Sequence, residues 1–317
     1  MDVFETIFPI LAIAGSGYLI ARKAFLSRTE CDAITKFVFT YVIPAMLFSG
    51  TARADFPPEM EWQFLLGYYA VVLVVYLLTV FCGKTLFAYN ATEQSVFGMG
   101  AAYSNATIIG IPVVAYALGE EALLPLFLIL SVQNLALFSV GTIVAERDQL
   151  DRQAYADSVF KLVRQFVTSP TTGSLIAGGL VNLLNIPIYE PLGDAVALLG
   201  SAAVPAALFV LGTSLNRYHI RGHLRSAVSI VVVKLVLLPV LVGVLVLLVF
   251  DLDPMWAATA LVTAALPTGV SAYIFSQRYQ VCEAPVATAI LLSTVGSVVT
   301  LGVVLTAVNT WLIVNTG

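Results

Sequence analysis

The chain has 317 residues, 59% of them hydrophobic and 11% charged, with a formal net charge of −4 at pH 7 and a mean hydropathy of +0.95. Soluble domains carry roughly 25% charged residues, so this composition excludes a water-soluble globular protein and describes one that crosses a membrane many times. The small net charge says little about partners, because the distribution of charge matters more than its sum. Cys31, Cys82 and Cys282 form no CxxC pair, which gives neither a disulfide framework nor a metal knuckle.

A membrane helix needs about 20 mostly apolar residues. On that criterion the first span covers residues 3–21, and the acidic residues before its apolar run predict a retained span, not a cleaved signal peptide. Further spans follow at 33–52, 62–82, 95–118 and 122–144. The polar stretch ERDQLDRQAYADSVFKLVRQ (146–165) then divides the chain and reads as a short helix on the membrane surface. Five more spans lie at 170–187, 193–213, 226–250, 255–277 and 284–313. The expected fold class is an all-α polytopic membrane protein of ten transmembrane helices, with residues 1–145 and 170–317 as two halves joined by a connecting loop at 146–169.

Lys and Arg in short loops set the orientation. With the N-terminus outside, inside segments hold thirteen of the fifteen basic residues, among them Arg22, Lys23, Arg147, Arg152, Lys161, Arg217, Arg221 and Arg278. Only Arg53 falls outside and Lys234 lies within a span, while Glu120, Glu121, Asp251 and Asp253 mark outside loops. Both termini are therefore expected outside.

A shift of 161 residues superposes Pro9 on Pro170, Gly17 on Gly178, and VIPAMLF (42–48) on AVPAALF (203–209). Coincident prolines at a constant offset point to an internal repeat. Each half holds an odd number of spans, so the repeat is inverted, a plan that many secondary carriers use to reach two access states. The same offset sets Asn105–Pro112 against Leu266–Tyr273. Proline removes a backbone donor and glycine lowers helical preference by about 1 kcal/mol, so spans 4 and 9 are expected to break near Ile108–Pro112 and Pro267–Ser271. In lipid, freed peptide groups are tolerated only where protein or a water-filled cavity satisfies them. The two breaks are therefore expected to face each other as a binding site. Pro44 and Pro205 lack polar neighbours and read mainly as kinks.

Lys234, deep in VVVKLVLLPV, is the ionisable residue at membrane depth. It reads either as a functional group or as a donor to broken-helix carbonyls. Gln133 and Asn134 in span 5 read as interhelical hydrogen-bonding residues, with a secondary role as ligands. GKT at 83–85 lacks the glycine of a phosphate loop, since position 78 is Leu78. The sequon at Asn105 is buried in a span, and His219 and His223 sit in a basic loop suited to lipid headgroups rather than metal. No acid pair and no Ser/His/Asp set appears at depth, so no catalytic machinery, cofactor, metal or nucleic-acid partner is expected.

The motifs PAMLF (44–48), NATIIGIP (105–112), KLVLLP (234–239) and PTGVSAYIFSQRY (267–279) together resemble the auxin efflux carrier family, which includes plant auxin carriers and bacterial carriers labelled malonate transporters. The resemblance covers essentially the whole chain. It implies a fold like that of sodium/proton antiporters and bile-acid symporters, in which spans 1, 2, 6 and 7 form a scaffold that often dimerises and spans 3–5 with 8–10 form a mobile transport domain. Spans 4 and 9 would cross as broken helices, an elevator-type carrier for organic anions in the plasma membrane, the inner membrane of a bacterium. The substrate-binding set is then Asn105, Gly110, Ile111, Pro112, Pro267, Thr268, Gly269 and Ser271, with Lys234 for coupling or charge compensation. Ser271 departs from the family, where asparagine is frequent. The half-helix N-termini suit a carboxylate, with Asn105 and the Thr268 and Ser271 hydroxyls as orienting donors. A transport-inactive sensor or scaffold of the same fold is the alternative.

Overall fold

The computed structural model describes residues 3–54, 62–149, 164, 168–215, 224–250 and 252–316. Most of the expected surface helix at 146–165, with Arg152 and Lys161, lies outside the described residues, as does the loop of Arg217, His219, Arg221 and His223. Every apolar segment expected from the sequence is helical: α1 (Val3–Arg22), α2 (Arg28–Ala52), α3 (Trp62–Phe87), α4a (Ala91–Ala102), α4b (Ala106–Ala117), α5 (Leu123–Glu146), α6 (Pro170–Leu183), α7 (Glu190–Ser214), α8 (Leu224–Val246), α9a (Pro254–Ala265), α9b (Val270–Tyr279) and α10 (Glu283–Thr316). Six helices among the described residues are long and apolar enough to cross a membrane. The protein is a multi-pass membrane protein.

Local chemistry sets the helix starts. Capping boxes open α2 and α4a: Ser27 and Glu30 exchange side-chain and backbone bonds in one, Asn90 and Glu93 in the other. Three prolines within helices share one solution. Pro44, Pro112 and Pro239 each follow a π-helical turn, at Val38–Val42, Ala106–Gly110 and Val233–Leu237. Proline lacks a donor and its ring collides with the carbonyl one turn back. A π turn carries an extra residue in each hydrogen-bonded ring, which moves that carbonyl aside and keeps the helix continuous. Pro205 is handled differently, following an interruption of α7 at Ala202.

The helices pack in two styles. α1 lies on the second half of α7, and α2 lies on α6 and the first half of α7, through glycines at backbone contact. A Cβ on Gly17 would fall 2.2 Å from the Phe209 carbonyl oxygen, and one on Gly212 would fall 1.8 Å from that of Ala14. Gly178 stands in the same relation to Thr51 Oγ1, at 2.1 Å. Small residues at such contacts let membrane helices approach closely enough for dispersion to hold them.

The other helices build a larger core. Phe64, Tyr68, Tyr76, Phe97, Met99, Ile129, Leu238 and Phe275 belong to one buried cluster drawn from α3, α4a, α5, α8, α9a, α9b and α10. Within it α4a is buried from Gln94 to Ala102, and α9a from Ala257 to Ala260 and again from Val262 to Ala265. A helix covered all round is an interior helix. Ala, Gly, Ser and Thr fill these two helices, which leaves room for neighbours on every side. A second apolar cluster, including Val42, Leu47, Ile109, Val113, Leu126, Val210 and Leu305, joins α1, α2 and α7 to α4b, α5, α9a and α10.

Replacing Gly212 or Gly17 with Val is expected to force α1 and α7 apart at a cost of about 1–3 kcal/mol, read as a lower thermal unfolding midpoint in detergent. Gly179→Ala serves as control, because a Cβ there meets nothing within 4 Å.

Candidate functional site

Helical structure stops after Ala102 and resumes at Ala106, and stops again after Ala265 and resumes at Val270. The second interruption follows directly from Pro267, because the residue before a proline is pushed out of the helical region. Leu266 accordingly has φ −62° and ψ 152°. The first interruption corrects the sequence expectation. Ile108–Pro112 remain helical, since the π turn accommodates Pro112, and the chain opens instead at Tyr103–Asn105.

The two openings meet. Ser104 faces Thr268 in an isolated antiparallel bridge, with Asn105 N donating to the Pro267 carbonyl at 2.9 Å and Gly269 N donating to the Tyr103 carbonyl at 2.9 Å. Ser104 thus pairs three residues beyond Ala265, the partner that the 161-residue offset assigns to it. Gly269 is required by closeness: a Cβ there would fall 2.5 Å from Tyr103 Cδ1. Gly110 acts likewise one turn on, where a Cβ would fall 2.7 Å from Leu266 Cδ1.

Neighbouring helices take up what the bridge leaves over. Gln133 Nε2 donates to the Ser104 carbonyl at 3.0 Å, and the Tyr103 hydroxyl donates to Asn134 Oδ1. Ser271, in the first turn of α9b, lies beside that same hydroxyl. Thr268 N donates to Ser293 Oγ at 3.1 Å, and Thr268 Oγ1 donates to the Gly100 carbonyl at 2.9 Å. The expectation of exposed peptide donors is therefore corrected for three groups: the amides of Asn105, Thr268 and Gly269 are already bonded within the protein. The Thr268 hydroxyl is also engaged, so it is no free donor.

Two buried side-chain atoms at the crossing remain without a hydrogen-bond partner, Asn105 Nδ2 and Ser104 Oγ. An unpaired buried donor costs about 1–3 kcal/mol, so an acceptor brought to this amide is strongly favoured. Ile111 and Pro112 lie farther along α4b; both are buried, and Ile111 belongs to the second apolar cluster, away from the bridge.

Four half-helix ends meet at the crossing. α4b and α9b begin at the crossing, while α4a and α9a end there, so two positive and two negative half-helix ends converge, each worth about half a charge. Those contributions oppose one another. Lys234, fully buried, donates from Nζ to the Ala264 carbonyl at 2.6 Å, at the C-terminal end of α9a. The matching carbonyl of α4a, on Gly100, is capped by the neutral Thr268 hydroxyl. When charged, Lys234 leaves the crossing net positive. The ion pairs among the described residues, Arg53–Asp194 and Arg147–Asp148, lie elsewhere and do not involve it.

A crevice of about 850 Å³ lies between α2 and α7 on one side and α4b and α5 on the other, with Arg53, Glu120, Glu121 and Trp256 among its walls. None of the crossing residues lines it. Sequence reasoning missed Tyr103, Ser104, Gly100 and Ser293. The polar triplet Tyr103-Ser104-Asn105 within an apolar run was the available signal for the first two. Gly100 and Ser293 carry none, because their roles depend on which helices pass beside them.

A family model described as membrane transport protein matches residues 2–305. The chain belongs to that family. The transporter is similar to a Rhizobium meliloti (strain 1021) protein named for malonate transport, 28% identical over 299 residues, covering 94% of this chain and 93% of the relative. It is also similar to auxin efflux carrier component 5 of Arabidopsis thaliana, 22% identical over 91% of this chain and 92% of that protein. A mouse lysosomal cholesterol signaling protein aligns at 24% identity with 75% of this chain, over 29% of its own length. The family and the Rhizobium meliloti relative are named as transporters, not enzymes.

Thr268→Val is expected to destabilise the transporter by about 1–3 kcal/mol, because the Gly100 carbonyl loses its only side-chain cap while remaining buried. Thr268→Ser keeps the hydroxyl and is expected to retain most of the stability, with both measured by thermal unfolding in one detergent.

Proposed function

We propose that the transporter is a secondary carrier of a small organic anion, held by its carboxylate at the crossing of two interrupted helices. The observation that carries this reading is the buried, unpartnered Asn105 Nδ2 beside converging half-helix ends with Lys234 on one of them. Asn105 supplies a directed donor, and the field of α4b, α9b and Lys234 stabilises the charge without an arginine. Ser271 adds a hydroxyl beside Tyr103. The name of the Rhizobium meliloti relative agrees with a short dicarboxylate, and that of the Arabidopsis thaliana relative agrees with an aromatic carboxylate.

In this reading the chain forms ten spans as two inverted repeats, with both termini outside. α1, α2, α6 and α7 act as a scaffold that pairs with a second copy, and the remaining helices move against it as a transport domain. The packing supports such movement. The scaffold helices touch one another through backbone and glycine, which resists deformation, whereas the seam to the other group is built from Val, Leu and Ile. Sliding along an apolar seam breaks no hydrogen bonds. In this reading the crevice beside Arg53 and Trp256, whose walls stop short of the crossing, would reach it only after the transport domain has moved.

Uptake of radiolabelled malonate and indole-acetate into proteoliposomes tests this function. Saturable flux of at least one carboxylate is expected, and folded protein without flux for any organic anion overturns it. Ligand binding without flux would identify a sensor. Asn105→Ala is expected to weaken the anion's half-saturation about tenfold, the effect of roughly 1.4 kcal/mol, and Asn105→Asp more severely through repulsion.

Lys234→Gln retains a donor for Ala264 but removes the charge. A charge about 4 Å from the anion is worth about 4 kcal/mol at an effective dielectric near 20, so affinity is expected to fall at least about tenfold with the fold retained. Flux of this variant measured across pH also separates the coupling modes. A profile matching wild type removes Lys234 from any proton coupling.

A further inference from the structure

The seam between α1 and α10 is not filled by protein. A cavity of about 400 Å³ lies there, walled by Gly15 of α1, Leu211 of α7, Ile109 and Val113 of α4b, and Leu301 and Leu305 of α10. Gly15 faces open space, since a Cβ built on it meets nothing within 4 Å. Val295, another wall residue, is 64% exposed, so the cavity communicates sideways with the surroundings of the helices. In a multi-pass membrane protein those surroundings are hydrocarbon.

Chemistry along the wall limits the occupant. Thr294 and Ser297 bring hydroxyls to it, but Thr294 Oγ1 donates to the Ile290 carbonyl at 2.7 Å and Ser297 Oγ to the Thr294 carbonyl at 2.8 Å. Both donors are spent within α10. The middle of the cavity thus offers no free hydroxyl donor, and its wall is otherwise apolar, which suits a hydrocarbon guest. One end differs. Tyr18, the wall residue nearest the C-terminus of α1, accepts a hydrogen bond from Arg22 Nη1 at 2.6 Å, and the Arg22 guanidinium lies 5.8 Å from the Tyr18 ring centroid. A cation and a phenol hydroxyl therefore stand at one end of a hydrocarbon slot. From Leu291 to Leu305, α10 rises about 21 Å along it, which exceeds the roughly 15 Å of one leaflet of a bilayer core about 30 Å thick and so leaves room for a whole acyl chain.

We propose that this seam holds one acyl chain of a membrane phospholipid, threaded beside Gly15, with the lipid phosphate at Arg22 and Tyr18. The apolar wall takes the chain, the lateral opening admits it from the bilayer, and Arg22 answers the phosphate charge. The lipid would lie where α1 and α7 meet α4b and α10. Its presence there does not depend on which anion the crossing carries.

The test uses the full-length transporter reconstituted with a phosphatidylglycerol whose acyl chain bears a photoactivatable diazirine, with labelled peptides mapped by mass spectrometry. Labelling is expected to concentrate on α1 and α10 around Gly15 and Leu301, above the level on the lipid-facing Phe81 of α3, which is 62% exposed. Gly15→Phe places a ring in the slot and is expected to lower labelling at Leu301 roughly tenfold while Phe81 is unchanged. Arg22→Gln is expected to lower it as well, and Gly179→Phe, outside the slot, is not. Seam labelling no greater than at Phe81, or unaffected by Gly15→Phe, overturns the proposal. So does displacement of the probe by a sterol at equal concentration, which would assign the slot to a different lipid. Should Gly15→Phe fail to fold, the wild-type comparison of Leu301 with Phe81 decides alone.

Discussion

In hydrocarbon no water completes a peptide group's hydrogen bonds, so every backbone N–H and C=O must find its partner inside the protein. The organisation of this transporter follows from how it interrupts two buried helices under that constraint. Neither interruption is tolerable alone. Brought together antiparallel, they complete each other, Asn105 to Pro267 and Gly269 to Tyr103, and four side chains, those of Lys234, Gln133, Thr268 and Ser293, take further peptide groups around them. The crossing is therefore first a consequence of satisfaction. What it leaves unsatisfied, the Asn105 side-chain amide and the Ser104 hydroxyl, is what the proposed guest would complete.

The same crossing concentrates charge. Four half-helix ends at one place would largely cancel, and the choice of caps decides the sign. A neutral hydroxyl on α4a and a lysine amine on α9a break the balance toward positive whenever the amine is protonated. A lysine at this depth needs no acid partner to be tolerated, because the carbonyl end of α9a is itself a partial negative charge. This arrangement is the basis of the anion proposed for the site.

Packing divides the work between two groups of helices. Around the crossing, small residues let α4a and α9a be surrounded completely, and aromatic side chains of α3 and α9b fill the outer layer. In the other group, glycines set backbone against backbone. Between them lies an apolar seam with a gap at Gly15. Aliphatic contact specifies proximity without specifying one register, which is what relative movement requires, and a gap in such a seam is open to the solvent of this protein, the lipid.

Much was legible in the sequence, for physical reasons. Hydropathy over about 20 residues is a local property, so the apolar helices could be placed without a fold. Pro267 acts on its own neighbour, so the break in α9 was readable. Pro112 was misleading, because a π turn relieves it within the helix, and whether a helix yields or bends at proline depends on what surrounds it. The break at Tyr103–Asn105 has no local cause comparable to proline; it exists because another extended segment runs alongside to bond with it. The same holds for Ser293, Gly100, and the Ala264 carbonyl that receives Lys234, whose partners lie tens of residues away in the chain. Sequence alone determined that this protein lives in a membrane and where its helices run, since those depend on each residue's affinity for hydrocarbon. Only the tertiary structure decided which peptide groups are spent and which donor is left over, since hydrogen bonds between distant segments exist only once the segments have met.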